Sequence, residues 1–110
     1  MSDDDDKNSV RSVPKNITQS ILVDVSQRIN IAISEITIVE ATRQTWSDGC
    51  LGLGGDGMFC TEALVSGWEV VAVGGDRVWV YRTDLSGSSI KWDVSYQPYP
   101  YRARPSLQLS

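Results

Sequence analysis

The sequence predicts an α+β domain, with one N-terminal helix packed on a four-stranded, mainly antiparallel sheet and a long loop that a disulfide can close. Three observations predict it. Apolar residues recur every fourth position early in the chain, β-branched and aromatic runs separated by Gly and Asp fill its second half, and a glycine-rich stretch between them carries both cysteines. A chain of 110 residues has room for one core of modest size.

The helix is expected from Ser12 to Asn30, because Ile17, Ile21, Val25 and Ile29 line one stripe that Leu22 widens. Lys15, Gln19, Asp24, Gln27 and Arg28 form its polar side. Ser12 is expected to cap the start, Pro14 is tolerated in the first turn, and Asn30 is the expected stop. The triplet Asn16-Ile17-Thr18 matches a glycosylation sequon inside this helix and carries little weight, since such triplets are common by chance.

From Glu35 to Thr45, β-branched residues in near alternation predict a first strand. Trp68 to Val73 and Val78 to Thr83 predict a hairpin, joined by Gly74, Gly75 and Asp76, which tolerate the positive φ angles of a tight turn. Asp84, Ser86 and Gly87 make the next turn, and Ile90, Trp92 and Val94 alternate with charge in a last strand. The helix is expected to lay Ile21, Leu22, Val25 and Ile29 on Ile38, Val71, Val80 and Ile90.

The organisation divides into a tag and leader at 1–11, a single domain at 12–95 and an extended, Pro/Tyr-rich tail at 96–110. The opening MSDDDDK contains the recognition sequence of enteropeptidase and is set aside from the fold. It holds four of the 14 acidic residues and one of the 10 basic ones, so the remainder is close to neutral. A near-neutral domain has no clustered Lys and Arg for nucleic acid. No apolar run is long enough for membrane insertion.

Histidine is absent, which removes the usual general base, the Ser-His-Asp and Cys-His arrangements, and most zinc sites. Asp48, Asp56, Glu62 and Glu69 leave room for a glycosidase-like carboxylate pair, although solvated loop acids are the ordinary reading. Cys50 and Cys60 could bind metal, act as a redox pair, remain free thiols or form a disulfide. Their spacing is not CxxC and no second cysteine pair completes a zinc site, so the disulfide is favoured. It would stabilise the fold by about 2.5–3 kcal/mol. It would also place the protein in the periplasm or outside the cell.

Gly52, Gly54 and Gly57 match GxGxxG, but no helix follows to receive a pyrophosphate, so the glycines are expected to serve turns. GGDG with Asp48 and Asp56 lacks the regular acidic spacing of a calcium loop, and no cofactor or metal is expected. Trp68 and Trp92 are expected in sheet packing. Trp46, at the loop entrance, and Trp79, on the sheet's other face, are the tryptophans expected at a partner surface.

The stretches TWSDGCLGL (Thr45 to Leu53), FCTEALVSGWEVVA (Phe59 to Ala72) and WVYRTDLSG (Trp79 to Gly87) resemble a family of small, secreted bacterial domains, chiefly cyanobacterial, with TWPDGCLGL, CTQALVPGW and WVYRTD motifs. SQRINIAISEITIVEA (Ser26 to Ala41) is also similar, and Ser47 and Ser66 stand where the family pattern has prolines. The resemblance implies a cystatin-like or PepSY-like helix-on-sheet fold and no catalytic residue. Together these readings predict a secreted module rather than an enzyme, which binds another protein, with protease inhibition as one form of that role. The binding residues would come from Trp46, Asp48, Leu51, Leu53, Asp56, Met58, Phe59 and Trp79. A small carboxylate-dependent hydrolase or a sugar-binding module is the alternative.

Overall fold

The computed structural model describes residues 9–55 and 57–94. A short 3₁₀ turn at Val10–Ser12 leads into helix α1 (Lys15–Ile29), and a second at Ile33–Glu35 leads into four strands. These are β1 (Thr37–Trp46), β2 (Val65–Gly74), β3 (Arg77–Asp84) and β4 (Ile90–Trp92). They form one antiparallel sheet in the order β1-β2-β3-β4, with the helix against one face. The expected tail at 96–110 lies outside the described residues.

The helix starts later than Ser12. A proline ring clashes with a helical residue before it, so Val13 is held extended (ψ 130°) and Ser12 cannot cap. Pro14 is itself the boundary residue (ψ 143°), and its carbonyl accepts from the N–H groups of Ile17 and Thr18. The stop is as expected. Asn30 adopts the left-handed conformation (φ 56°), and Ile31 N–H closes on the Ser26 carbonyl.

The hairpin between β2 and β3 pairs Gly74 with Arg77 and leaves Gly75 and Asp76 as its two-residue loop. Both have positive φ (61° and 63°), the geometry whose twist matches that of the flanking strands. Strand β1 begins at Thr37 rather than Glu35 because Glu35 belongs to the preceding 3₁₀ turn. A bulge between Ile38 and Glu40 shifts its register against β2 and leaves Val39 exposed. The last strand ends at Trp92; Val94 is exposed beyond it.

The main core joins Ile17, Ile21 and Val25 of α1 to Ile36, Ala41, Trp68, Val70, Ala72, Trp79 and Tyr81. Leu22, Ile29, Ile38 and Ile90 pack at its margin. The expectation that Val71 and Val80 face the helix is therefore corrected by one position. Side chains alternate along a strand, so placing Val70 and Tyr81 under the helix turns Val71 and Val80 to the second face. Trp79 is likewise corrected. It is buried under the helix, with its ring 5.1 Å from that of Trp92 and its Nε1–H donating to the Gly74 carbonyl at 3.2 Å.

Tyr81 fixes the helix to the sheet by a polar contact. Its hydroxyl donates to the Asp24 carboxylate at 2.5 Å, and Asp24 also accepts from Arg28 at 2.6 Å. Burial, then the bond to Asp24, pushes the phenol well above its ordinary value. The Arg28 guanidinium in turn lies 4.4 Å over the Trp92 ring, joining α1 to β4.

Candidate functional site

The loop from Ser47 to Leu64 is organised against the second face of the sheet. It begins with an Asp-centred turn, because a short carboxylate can accept from backbone N–H groups just after it. Asp48 Oδ1 accepts from Cys50 N–H at 2.9 Å and Gly52 N–H at 3.0 Å. Leu51 then takes a left-handed conformation (φ 58°), unusual for a leucine, and its side chain is completely buried. Burial of a leucine contributes about 1.5–3 kcal/mol, which offsets the roughly 1–2 kcal/mol of backbone strain.

Arg82 locks this turn to the sheet. Its Nη1–H donates to the Leu51 carbonyl at 2.7 Å, its guanidinium lies 4.6 Å over the Trp46 ring, and Nη2 is 3.3 Å from Asp93. Its Nε–H is buried without a partner among the described residues. Trp46 is buried as well, with Nε1–H donating to the Thr83 carbonyl at 2.9 Å. Trp46 is therefore a wall of the loop's seat. Neither it nor Trp79 offers an open ring for stacking on a partner, which corrects the expectation for both.

Cys50 and Cys60 form a disulfide with Cα atoms 5.3 Å apart. Beside it, Gly49 N–H donates to the Thr61 carbonyl at 2.8 Å, so the two arms of the loop are joined covalently and by a backbone bond. Gly54 is required here: an added Cβ would stand 2.6 Å from Cys60 Sγ. The ligand atoms of Asp48, Cys50 and Cys60 lie within 4.8 Å of one another. In the disulfide the two sulfurs are not thiolates, the form that binds metal, and Asp48 Oδ1 is committed to the turn.

The loop's apolar residues divide sharply. Leu51 is buried and Leu53 is half-buried, whereas Met58 is 52% exposed, Phe59 is fully exposed and Leu64 is 74% exposed. Met58 closes a small turn, its N–H donating to the Gly55 carbonyl at 3.0 Å. Asp56 lies outside the described residues. Glu62 is exposed, and Glu69 sits on β2 opposite Arg82.

Three residues beyond the expected set matter here. Arg82 and Asp93 clamp the loop, and Leu64 adds to its outer apolar surface. An arginine alternating with Val78 and Val80 on one strand face was the available signal, since a charge in an apolar row needs a partner there. An open hollow of about 320 Å³ lies between Gly52–Gly54 and Trp92–Val94, and Asp93, its charged wall, is held by Arg82.

Fold and site thus define an α+β domain of one helix on an antiparallel meander, with a disulfide-closed loop seated on the sheet's other face. A family model described as a domain of unknown function, DUF8738, matches residues 18–92, and the chain belongs to that family. The match runs from the helix to the last strand and includes the whole loop. No curated relative and no solved structure matches the chain.

Proposed function

We propose that the chain is a secreted protein-binding module, not an enzyme, and that the outer side of its disulfide-closed loop is the binding surface. The partition of the loop's apolar residues carries this reading. Met58, Phe59 and Leu64 face outward although Leu51, in the same loop, is folded completely inward. Exposed large apolar side chains held on an ordered loop favour association with another macromolecule. The disulfide, the Asp48 turn and the Arg82 clamp order the loop beforehand, which lowers the entropy lost on binding. The disulfide also supports a location outside the reducing cytosol.

The test compares the oxidised protein with a Met58→Ala/Phe59→Ala/Leu64→Ala variant, each immobilised and exposed to extracellular or periplasmic extract. The expected result is a protein retained by the first and lost by the second at equal thermal stability. Identical retention by both would remove the loop from the function.

A further inference from the structure

We infer that the partner is an endoprotease whose primary specificity pocket accepts a large aromatic side chain, and that Phe59 fills that pocket in a substrate-like manner. The inference rests on the loop being the binding surface and names what binds there.

Three features converge on Phe59. Its side chain is fully exposed, so insertion into a pocket disturbs nothing within the chain. The segment Phe59–Glu62 is neither helix, strand nor turn, and the N–H groups of Phe59 and Cys60 have no hydrogen-bond partner among the described residues. The Phe59 carbonyl lies 3.7 Å from Cys50 Sγ, but a disulfide sulfur has no proton to donate, so that carbonyl also remains available. A non-helical backbone with free N–H and C=O groups can pair edge-on with another chain, while its side chains enter separate pockets.

The third feature is the tether. If the Phe59–Cys60 amide is hydrolysed, water adds across it to leave a carboxylate on Phe59 and an ammonium on Cys60. Neither end can leave. Phe59 continues back to Cys50, which is bonded to Cys60, while the Gly49–Thr61 hydrogen bond and the pairing of β1 with β2 hold the flanks. The new ends stay at high effective concentration, so cleavage is readily reversed and the enzyme remains occupied. A loop with this connection behaves as an inhibitor where an open peptide would be a substrate.

The test titrates the full oxidised chain against chymotrypsin and subtilisin, which accept large apolar residues, and against trypsin, which requires Lys or Arg. The expected result is competitive inhibition of at least one of the first two and none of trypsin. Phe59→Ala should weaken that inhibition about 10- to 100-fold, the value of burying one phenyl side chain. Phe59→Lys should transfer inhibition to trypsin. Unfolding temperatures should be unchanged, and the tyrosines at 96, 99 and 101 are common to all variants. Absence of inhibition of both enzymes, or equal inhibition by Phe59→Ala, overturns the inference. If loop-dependent capture of another protein persists in that case, the protease is wrong and the binding surface stands; if capture is also independent of the loop, both fail.

Discussion

The two faces of the sheet are held by different physics. Beneath the helix, Ile17, Ile21, Val25, Val70, Trp79 and Tyr81 are buried in continuous apolar contact, and the polar ties at Tyr81 and Trp79 sit at its margin or satisfy single donors. On the other face, few large apolar side chains are buried, chiefly Trp46, Leu51 and Val80. It relies instead on a disulfide, an Asp-centred turn and one arginine. Hydrophobic burial accumulates with area and tolerates small displacements, whereas a hydrogen-bonded clamp is strong only in one geometry. The first kind of face supplies stability; the second fixes the position of a surface feature.

The largest effect should come from breaking the helix-side face. Trp79→Ala removes a fully buried ring and its contact with Trp92, and should destabilise the fold by about 3–5 kcal/mol in chemical unfolding. A loss below about 1 kcal/mol would show that the core does not centre on that ring.

A smaller, local effect is expected on the other face. Arg82→Met keeps most of the side-chain volume but deletes the bonds to Leu51 and Asp93, and should cost about 1–2 kcal/mol. Amide exchange should accelerate at residues 49–53 while the N–H groups of Val70 and Ala72 stay protected. Uniform acceleration across both faces would mean that the clamp is part of the main core after all.

The smallest effect concerns the turn after β3. Burial would raise the Asp84 pKa, but bonds from the Ser88 hydroxyl and from the N–H groups of Ser89, Gly87 and Ser88 outweigh it and hold the carboxyl below its ordinary 3.8. A depressed folded value means that the stabilisation is present above the unfolded pKa and disappears as pH falls through the folded one. Asp84→Asn should therefore lower stability at neutral pH and flatten part of the loss seen below about pH 4. Parallel stability curves for the two proteins would remove this contribution.

How far the sequence could be read follows the same division. The helix stripe was legible because one side of α1 is apolar and the other polar, and the hairpin because Gly75 and Asp76 tolerate its turn. The phase of β2 and β3 was not legible. Both of their faces carry apolar residues, so VVAV and VWVY read as continuous apolar runs in which period-two alternation has no contrast. That is why the sequence pattern points Val71 and Val80 at the helix and Trp79 at the other face. In the loop, the disulfide was legible from the cysteines, but the inward turn of Leu51 was not. It depends on a left-handed leucine and on Arg82, which lies 31 residues away in sequence.

The bulge in β1 has a consequence for how copies of this protein behave in concentrated solution. β1 is the long outer strand of the sheet, and a regular row of unpaired peptide groups along such an edge invites a second chain to add on as a further strand. The extra residue at Val39 breaks the spacing of that row, and the charged side chains of Glu40 and Arg43 follow it along the same edge. At the opposite border, β4 offers only Ile90–Trp92. Both borders therefore discourage open-ended stacking of sheets, and the fold can carry an outward-facing phenylalanine without also presenting a template for fibril growth.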